Sequence, residues 1–216
     1  MKDYKYIAFD LDGTLINTEE GVTGAIRQML LSYGVTEPNE AHLRACIGPP
    51  LQESLGKFFG IPEDSIPAAI DEFRKYYDPV SHIKCRPYEG IEETLKGLKE
   101  MGKKLTVATS KTVDPARKIL RNFGLDKYFD HIEGTPMDQN DASKADVLRA
   151  AIKGLGCEDL NQMILVGDTK FDIIGANEVG LDTLAVTYGF GKTEDFKEHG
   201  ATYIVSTTAD ILNFFK

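Results

Sequence analysis

The feature that most constrains the fold is an alternation of strand and helix patterns that begins near residue 86. Short apolar runs, of which 163–166 is the clearest, alternate with amphipathic stretches at helical spacing. This alternation is typical of a parallel sheet with helices on both faces. The sequence therefore predicts an α/β fold with a Rossmann-like parallel sheet. Its later strands are expected at 104–109, 131–133, 163–166, 182–186 and 203–206, and its helices at 90–101, 114–123, 144–155, up to 179 and at the C-terminus.

A helical block separates the first strand from this alternation. Residues 4–9 have the composition of a buried strand, but the next seventy or so carry apolar positions at helical spacing and no strand pattern. Gly34 and Gly60 are suitable helix ends. We therefore predict an α/β core of residues 1–15 and 86–216 with an all-helical insertion at 16–85. Its helices are expected at about 18–33, 38–46, 51–59 and 66–77, as judged by the helix period.

Composition and charge narrow the possible partners. The 216 residues suffice for one core domain and a smaller one, and the formal net charge of −9 argues against nucleic-acid polymers. The three widely spaced cysteines, at 46, 85 and 157, predict neither disulfides nor a zinc site, which favours a cytoplasmic location. There is no membrane-length apolar run and no secretory signal pattern, so no membrane partner is expected. No sequence feature indicates an oligomeric state.

Two carboxylates follow the first strand, at Asp10 and Asp12, just before Gly13 breaks the strand pattern. Strand periodicity points both side chains the same way, so two like charges share one site and one pKa rises. A divalent cation would relieve the repulsion, and hard oxygen ligands suit Mg²⁺. On its own, the motif is equally explained as an Asp-Gly turn without a chemical role.

Polar residues also follow the other predicted strands, and ligands of open α/β sheets bind outside these carboxyl ends. Thr109 and Ser110 offer hydroxyl and N–H groups that can hold phosphate oxygens, or that can simply cap the next helix. Asp168 follows the strongest strand, and Asp172 lies one helical turn later. Together with the first pair of acids, these residues predict one site for an anion and a metal.

Lys144 follows Ser143, the expected N-cap, and therefore occupies the first helical position. A cation there opposes the helix dipole, which costs roughly 0.3–1 kcal/mol when the group is exposed. An anion shared between Lys144 and the helix N-terminus would remove this conflict. The alternative is a solvated lysine.

These motifs resemble those of the haloacid dehalogenase-like hydrolases, in their phosphatase branch, over essentially the whole chain. Asp10-Leu11-Asp12-Gly13-Thr14-Leu15 resembles the first motif, Thr109 the second, Lys144 the third and Gly167-Asp168-x-x-x-Asp172 the fourth. The resemblance implies a Rossmann-like α/β phosphatase core at 1–15 and 86–216, with the block at 16–85 as an inserted all-helical cap domain.

The resemblance also implies Mg²⁺-dependent hydrolysis of a small phosphate ester. Asp10 would be the nucleophile that forms an aspartyl-phosphate. Asp12 would act as general acid and base, while its backbone carbonyl binds the metal. The phosphoryl oxygens would be held by Thr109, Ser110 and Lys144. The metal would be bound by Asp168 together with Asp10 and Asp12. Asp172 would support the metal site without binding the ion directly.

Within the family, Asp12 favours phosphate ester hydrolysis over dehalogenation. The segments 47–51, 107–111 and 143–147 look like those of phosphoglycolate phosphatases and of related 5′-nucleotidases, and 134–138 leans toward the latter. Sugar phosphate phosphatases and phosphomutases of the same superfamily are alternatives. A phospho-accepting signalling domain of the receiver type is another, although such domains are about half this length and lack the insertion.

The loop at 47–50 is the candidate for leaving-group selection within the insertion. Its prolines stiffen it, and Arg44 and Gly48 are the residues expected to read the substrate. The alternative is a plain interhelical turn beside a solvated arginine.

Overall fold

The computed structural model describes residues 2–136 and 142–216. The chain divides into two compact units: Met1–Asn17 with Pro87–Lys216, and Thr18–Arg86. The first unit has the α/β character expected of the core, and the second is helical. The assignment of these parts as a phosphatase core and a cap stays a prediction. Met137 and Asp138, which belong to the segment used to favour a nucleotidase, lie outside the described residues.

The α/β unit is built on a parallel sheet. The strands of the chain are β1 (Tyr6–Phe9), β2 (Ile16–Asn17), β3 (Arg86–Pro87), β4 (Lys104–Thr112), β5 (His131–Thr135), β6 (Met163–Gly167), β7 (Asp182–Val186) and β8 (Tyr203–Val205). Six of them form the sheet in the order β5-β4-β1-β6-β7-β8, and each neighbouring pair is parallel. The predicted α/β class is confirmed.

The helices of this unit are α5 (Ile91–Glu100), α6 (Val113–Asn122), α7 (Lys144–Leu155), α8 (Lys170–Val179), α9 (Thr193–Glu198) and α10 (Thr208–Phe214). Strand β1 is apolar on both sides because both sides are buried. Ala8 belongs to a core cluster with Leu148 of α7 and Ala176 of α8. The next residue, Phe9, points to the opposite face by strand periodicity, where its ring contacts that of Phe129.

Two predictions about this unit were wrong in detail. Strand β4 was expected to end at Thr109, but it continues to Thr112, with a register shift against β5 between these two residues. The polar composition of residues 110–112 resembles a loop, although the backbone stays extended. Helix α9 was not predicted, because six residues with the single buried side chain Phe196 give no readable helical period.

The helical unit contains α1 (Glu19–Ser32), α2 (Glu40–Ala45), α3 (Leu51–Phe59) and α4 (Ile66–Tyr77). The strand-free insertion was predicted to begin at residue 16, but Ile16–Asn17 form β2. Residues 18–85 are all described and contain no strand. Helix α1 packs against α2 and α4, and α3 packs against α4. The apolar residues Val22, Ala25, Ile26, Met29 and Leu30 of α1 are buried. Gly60 ends α3 with a φ of +66°. Among the described residues, no helix has the length and apolar character needed to cross a membrane.

Candidate active site

The carboxyl ends of β1 and β6 bring three aspartates together. Phe9 and Val166 are register partners in adjacent parallel strands, so the residues that follow them emerge at the same edge of the sheet. Asp10 follows β1, Asp168 follows β6, and Asp172 lies in the first turn of α8. One carboxylate oxygen from each lies within 4.8 Å of the other two, and all three side chains are buried.

Lys144 places a positive charge inside this group. Its Nζ donates to Asp10 Oδ1 at 2.5 Å and lies 2.7 Å from Asp172 Oδ1. The lysine is the first residue of α7, behind the N-cap Ser143, and is buried. A side chain at Gly175 of α8 would clash with it, since a Cβ there would lie 2.8 Å from the lysine Cβ. Lys144 is therefore not a solvated lysine.

Burial and like charges shift the ionisation of the cluster. Burial is the largest effect and raises the pKa of Asp10 to about 7. Lys144 opposes this rise, and the charges of Asp172 and Asp12 add to it. Burial, followed by the charges of Asp172 and Asp10, raises the pKa of Asp168 well above its ordinary value. Burial lowers the pKa of Lys144, but the two carboxylates beside it reverse this and raise it overall. The cluster therefore favours an added positive charge.

The Asp168 carboxylate is held by two donors. Thr14 Oγ1 donates to Oδ1 at 3.1 Å, and the backbone N–H of Phe190 donates to Oδ2 at 2.8 Å. Gly13 makes room for it with a φ of +89°, because a Cβ there would lie 2.1 Å from Asp168 Oδ2. Sequence reasoning gave Thr14 no role, and a backbone donor such as Phe190 has no side-chain signature.

Asp172 uses both of its oxygens. Oδ2 accepts from the backbone N–H of Thr169 at 3.0 Å and from its hydroxyl at 2.8 Å, in a capping box that starts α8. Oδ1 faces Lys144. This arrangement fits a residue that fixes the lysine rather than one that binds an ion directly.

Asp12 differs from the other acids in its partner. It lies beyond the end of β1, so the strand periodicity used to orient it does not apply. Its Oδ1 lies 3.3 Å from Lys111 Nζ, in an ion pair, and receives no hydrogen bond from the described residues. Sequence reasoning did not predict that Lys111 pairs with Asp12, because Lys111 lies in the part of β4 that was expected to be loop.

Thr109 and Ser110 have different environments. Thr109 is buried, and its Oγ1 accepts from the backbone N–H of Lys111 at 3.1 Å. Ser110 is exposed, its backbone carbonyl accepts from Thr135 Oγ1 at 3.0 Å, and its hydroxyl makes no described hydrogen bond to the acids. Within the described chain, the N–H groups of Leu11 and Asp12 donate to no backbone carbonyl.

Arg44 and Gly48 belong to the helical unit. Arg44 Nε lies 2.8 Å from Glu19 Oε1, so the side chain links α2 to the start of α1, and it is 60% exposed. Gly48 lies between α2 and α3 with a φ of +100°. Arg44 is thus one half of a surface ion pair, whereas the alternative to a substrate-selecting role was a solvated arginine.

Comparison with known proteins identifies the family. The family model described as haloacid dehalogenase-like hydrolase matches residues 7–186. The chain belongs to this family, as the motifs predicted, and it is an enzyme of the phosphatase type. The receiver-domain alternative is excluded by this membership.

Three relatives illustrate the range of the match. A 5′-nucleotidase of Pseudomonas aeruginosa is 33% identical over 208 residues, which cover 95% of this chain and 93% of that protein. The tyrosine-protein kinase PtkA of Mycobacterium tuberculosis is 35% identical over 205 residues, 95% of this chain and 69% of that protein. The crystal structure of a predicted phosphatase from Clostridium acetobutylicum is 36% identical, with a TM-score of 0.93 over 98% of both chains.

Proposed function

We propose that the protein is a Mg²⁺-dependent phosphomonoester hydrolase that forms an aspartyl-phosphate on Asp10. The observation that carries the proposal is the position of Lys144 Nζ, 2.5 Å from Asp10 and 2.7 Å from Asp172, two of the three clustered aspartates. The contact with Lys144 occupies Asp10 Oδ1. Its Oδ2 receives no hydrogen bond from the described residues and is the oxygen proposed to attack phosphorus.

The donor set fits Mg²⁺. Carboxylate oxygens are the hard ligands that this ion prefers. Burial, with added repulsion from the neighbouring acids, raises the pKa values of Asp10 and Asp168, and a bound cation would relieve that repulsion. Asp10, Asp168 and the backbone carbonyl of Asp12 would hold the ion, while Asp172 is engaged by Lys144 and Thr169. When bound, the ion would neutralise charge on the transferring phosphoryl group.

Asp10 and Asp12 carry out the bond-making and bond-breaking steps of the proposed reaction. Asp10 Oδ2 attacks phosphorus as the ester P–O bond breaks, and Asp12 gives a proton to the leaving oxygen. Asp12 then takes a proton from the water that cleaves the aspartyl-phosphate, which releases phosphate and regenerates Asp10. Lys144, the Thr109 hydroxyl and the N–H groups of Leu11 and Asp12, which donate to no backbone carbonyl in the described part of the chain, would hold the phosphoryl oxygens. The exposed Ser110 is a weaker candidate for this role.

We further propose a small phosphorylated metabolite as substrate, of the kind taken by 5′-nucleotidases or phosphoglycolate phosphatases. The P. aeruginosa relative named 5′-nucleotidase supports the first of these. A sugar phosphate phosphatase or a phosphomutase is the alternative. Arg44 and Gly48 of the helical unit are proposed to select the leaving group. The three free cysteines favour a cytoplasmic location.

Phosphate release from p-nitrophenyl phosphate, measured with and without Mg²⁺, tests the reaction class. A screen of nucleoside monophosphates, phosphoglycolate and sugar phosphates then tests the substrate class. ATP with a tyrosine peptide is included, because one relative is named a tyrosine-protein kinase. We expect release only with Mg²⁺, and the absence of release from every ester at saturating Mg²⁺ would contradict the proposal.

A further inference from the structure

The segment after β7, residues 188–191, lies directly against Asp168. The backbone N–H of Phe190 donates to Asp168 Oδ2 at 2.8 Å. A Cβ at Gly189 would lie 2.3 Å from Asp168 Oδ2, and one at Gly191 would lie 1.9 Å from the Asp168 backbone oxygen. Two glycines are therefore required for this backbone to lie so close to the aspartate.

The same segment also contacts the loop that follows β1. The hydroxyl of Tyr188 donates to the backbone carbonyl of Thr14 at 2.8 Å. Thr14 in turn donates through its own hydroxyl to Asp168 Oδ1 at 3.1 Å. The ring of Tyr188 packs against that of Tyr88, with 4.7 Å between their centroids, which fixes the direction of the hydroxyl. Each Asp168 oxygen thus has one donor, and both donors depend on residues 188–191.

We propose that residues 188–191 are a clamp that positions Asp168 for Mg²⁺, and that the Tyr188 hydroxyl sets the affinity by holding Thr14. This inference rests on the proposed function, since it requires Asp168 to ligate the ion. The clamp lies beyond the part of the chain that the family model matches, which ends at residue 186. Groups that orient metal ligands typically change metal affinity or activity by about 10- to 100-fold.

Tyr188→Phe is the first test, because it removes only the hydroxyl and keeps the ring against Tyr88. Calorimetric titration of the purified full chain with Mg²⁺ measures the affinity without any substrate. We expect Mg²⁺ to bind about 3- to 10-fold more weakly, as for the loss of one hydrogen bond behind a ligand. Turnover lost at low Mg²⁺ should return at high Mg²⁺.

Tyr4→Phe is the matched control. Tyr4 is a buried tyrosine of the same unit, and its hydroxyl donates to Asp182 at 2.7 Å, away from the acid cluster. This variant should lower the Tm but leave the Mg²⁺ affinity unchanged. A second pair tests the link through Thr14: Thr14→Val should weaken Mg²⁺ binding at least as much as Tyr188→Phe, whereas Thr14→Ser, which keeps the donor, should restore it.

The outcomes distinguish a failure of the proposed clamp from a failure of the proposed function. Wild-type Mg²⁺ affinity in Tyr188→Phe, or an equal loss in Tyr4→Phe, would overturn the clamp alone, provided that the wild type binds Mg²⁺ and hydrolyses p-nitrophenyl phosphate. A wild-type protein that does not bind Mg²⁺ would overturn both the clamp and the proposed function.

Discussion

Lys144 Nζ lies 2.7 Å from Asp172 Oδ1, and this contact joins the first turns of helices α7 and α8. A lysine at a helix N-terminus is unfavourable by itself, since the dipole there is positive. Two buried carboxylates, those of Asp172 and Asp10, offset this conflict. Lys144 thus holds the acid cluster together, and the stability of that cluster depends on this lysine.

Replacing Lys144 should therefore destabilise the protein. Lys144→Ala leaves two buried carboxylates without their cation, and removal of one partner of a buried ion pair typically costs about 3–5 kcal/mol. Urea unfolding should show this loss, and Mg²⁺ should recover part of it by supplying positive charge. Lys153→Ala, in the exposed last turn of the same helix, is the control and should change stability by less than about 0.5 kcal/mol. An equal effect of the two variants would contradict the arrangement.

Asp10→Asn should abolish turnover while the fold remains. An amide neither attacks phosphorus nor ligates Mg²⁺ well, so we expect kcat to fall by at least about 100-fold, or about 2.7 kcal/mol of barrier. Mass spectrometry of acid-quenched reactions should detect a phosphorylated wild type and no phosphorylated variant. Turnover within about tenfold of wild type would contradict the assignment of the nucleophile.

Substitutions of Asp12 and of Asp168 should impair the enzyme in different ways. Asp12→Asn should slow both formation and hydrolysis of the aspartyl-phosphate by about 10²–10⁴-fold, as expected for a general acid and base, with only moderately weaker metal binding. Asp168→Ala should instead raise the Mg²⁺ concentration needed for half-maximal activity. Rapid-quench kinetics across a Mg²⁺ series separate these effects. A wild-type Mg²⁺ dependence in Asp168→Ala would mean that the metal is held elsewhere.

Asp130 should make stability depend on acidic pH. Burial raises the pKa of its carboxyl, but hydrogen bonds from Lys99, the Leu105 N–H and Lys104 outweigh burial and hold the pKa below its ordinary value. A group with a lowered folded pKa contributes stability above its unfolded pKa, near 3.9, and loses it as the pH falls through the folded value. Asp130→Asn should thus cost about 1 kcal/mol at pH 7 and less below about pH 4. Urea unfolding of the wild type and of Asp130→Asn, at pH 7 and at a pH below about 4, measures this difference in stability. The same difference at the two pH values would be inconsistent with the prediction.

Arg44 should affect the choice of substrate more than the chemistry. We expect Arg44→Ala and Gly48→Ala to change the ranking of large against small phosphate esters, while acetyl phosphate is affected much less. Arg27→Ala is the matched control, because Arg27 makes a similar surface ion pair with Glu40 in the same unit. Such pairs contribute at most about 1 kcal/mol to stability. If kcat/KM falls equally for every substrate, these residues support the fold and do not read the substrate.

The sequence predicted the parts of the site that follow from strand and helix patterns. Asp10 and Asp168 were found because parallel strands place their carboxyl ends together, and Lys144 because a cation is unusual at the start of a helix. The Lys111 pair with Asp12 was missed, since it depends on β4 continuing past Thr109. The hydroxyl of Thr14 that donates to Asp168 was missed as well. The contact from Phe190 passes through a backbone N–H, which leaves no pattern in the side chains.

The position of β1 in the sheet also determines when the acids meet. This strand precedes β4 and β6 in the chain, yet it lies between them, where Phe9 has Val107 and Val166 as register partners. Contacts so distant along the chain slow folding. A growing chain that has not reached β6 carries Asp10 without Asp168 or Asp172. The repulsion among these carboxylates therefore arises only late, when the strands that must withstand it are already available to pair.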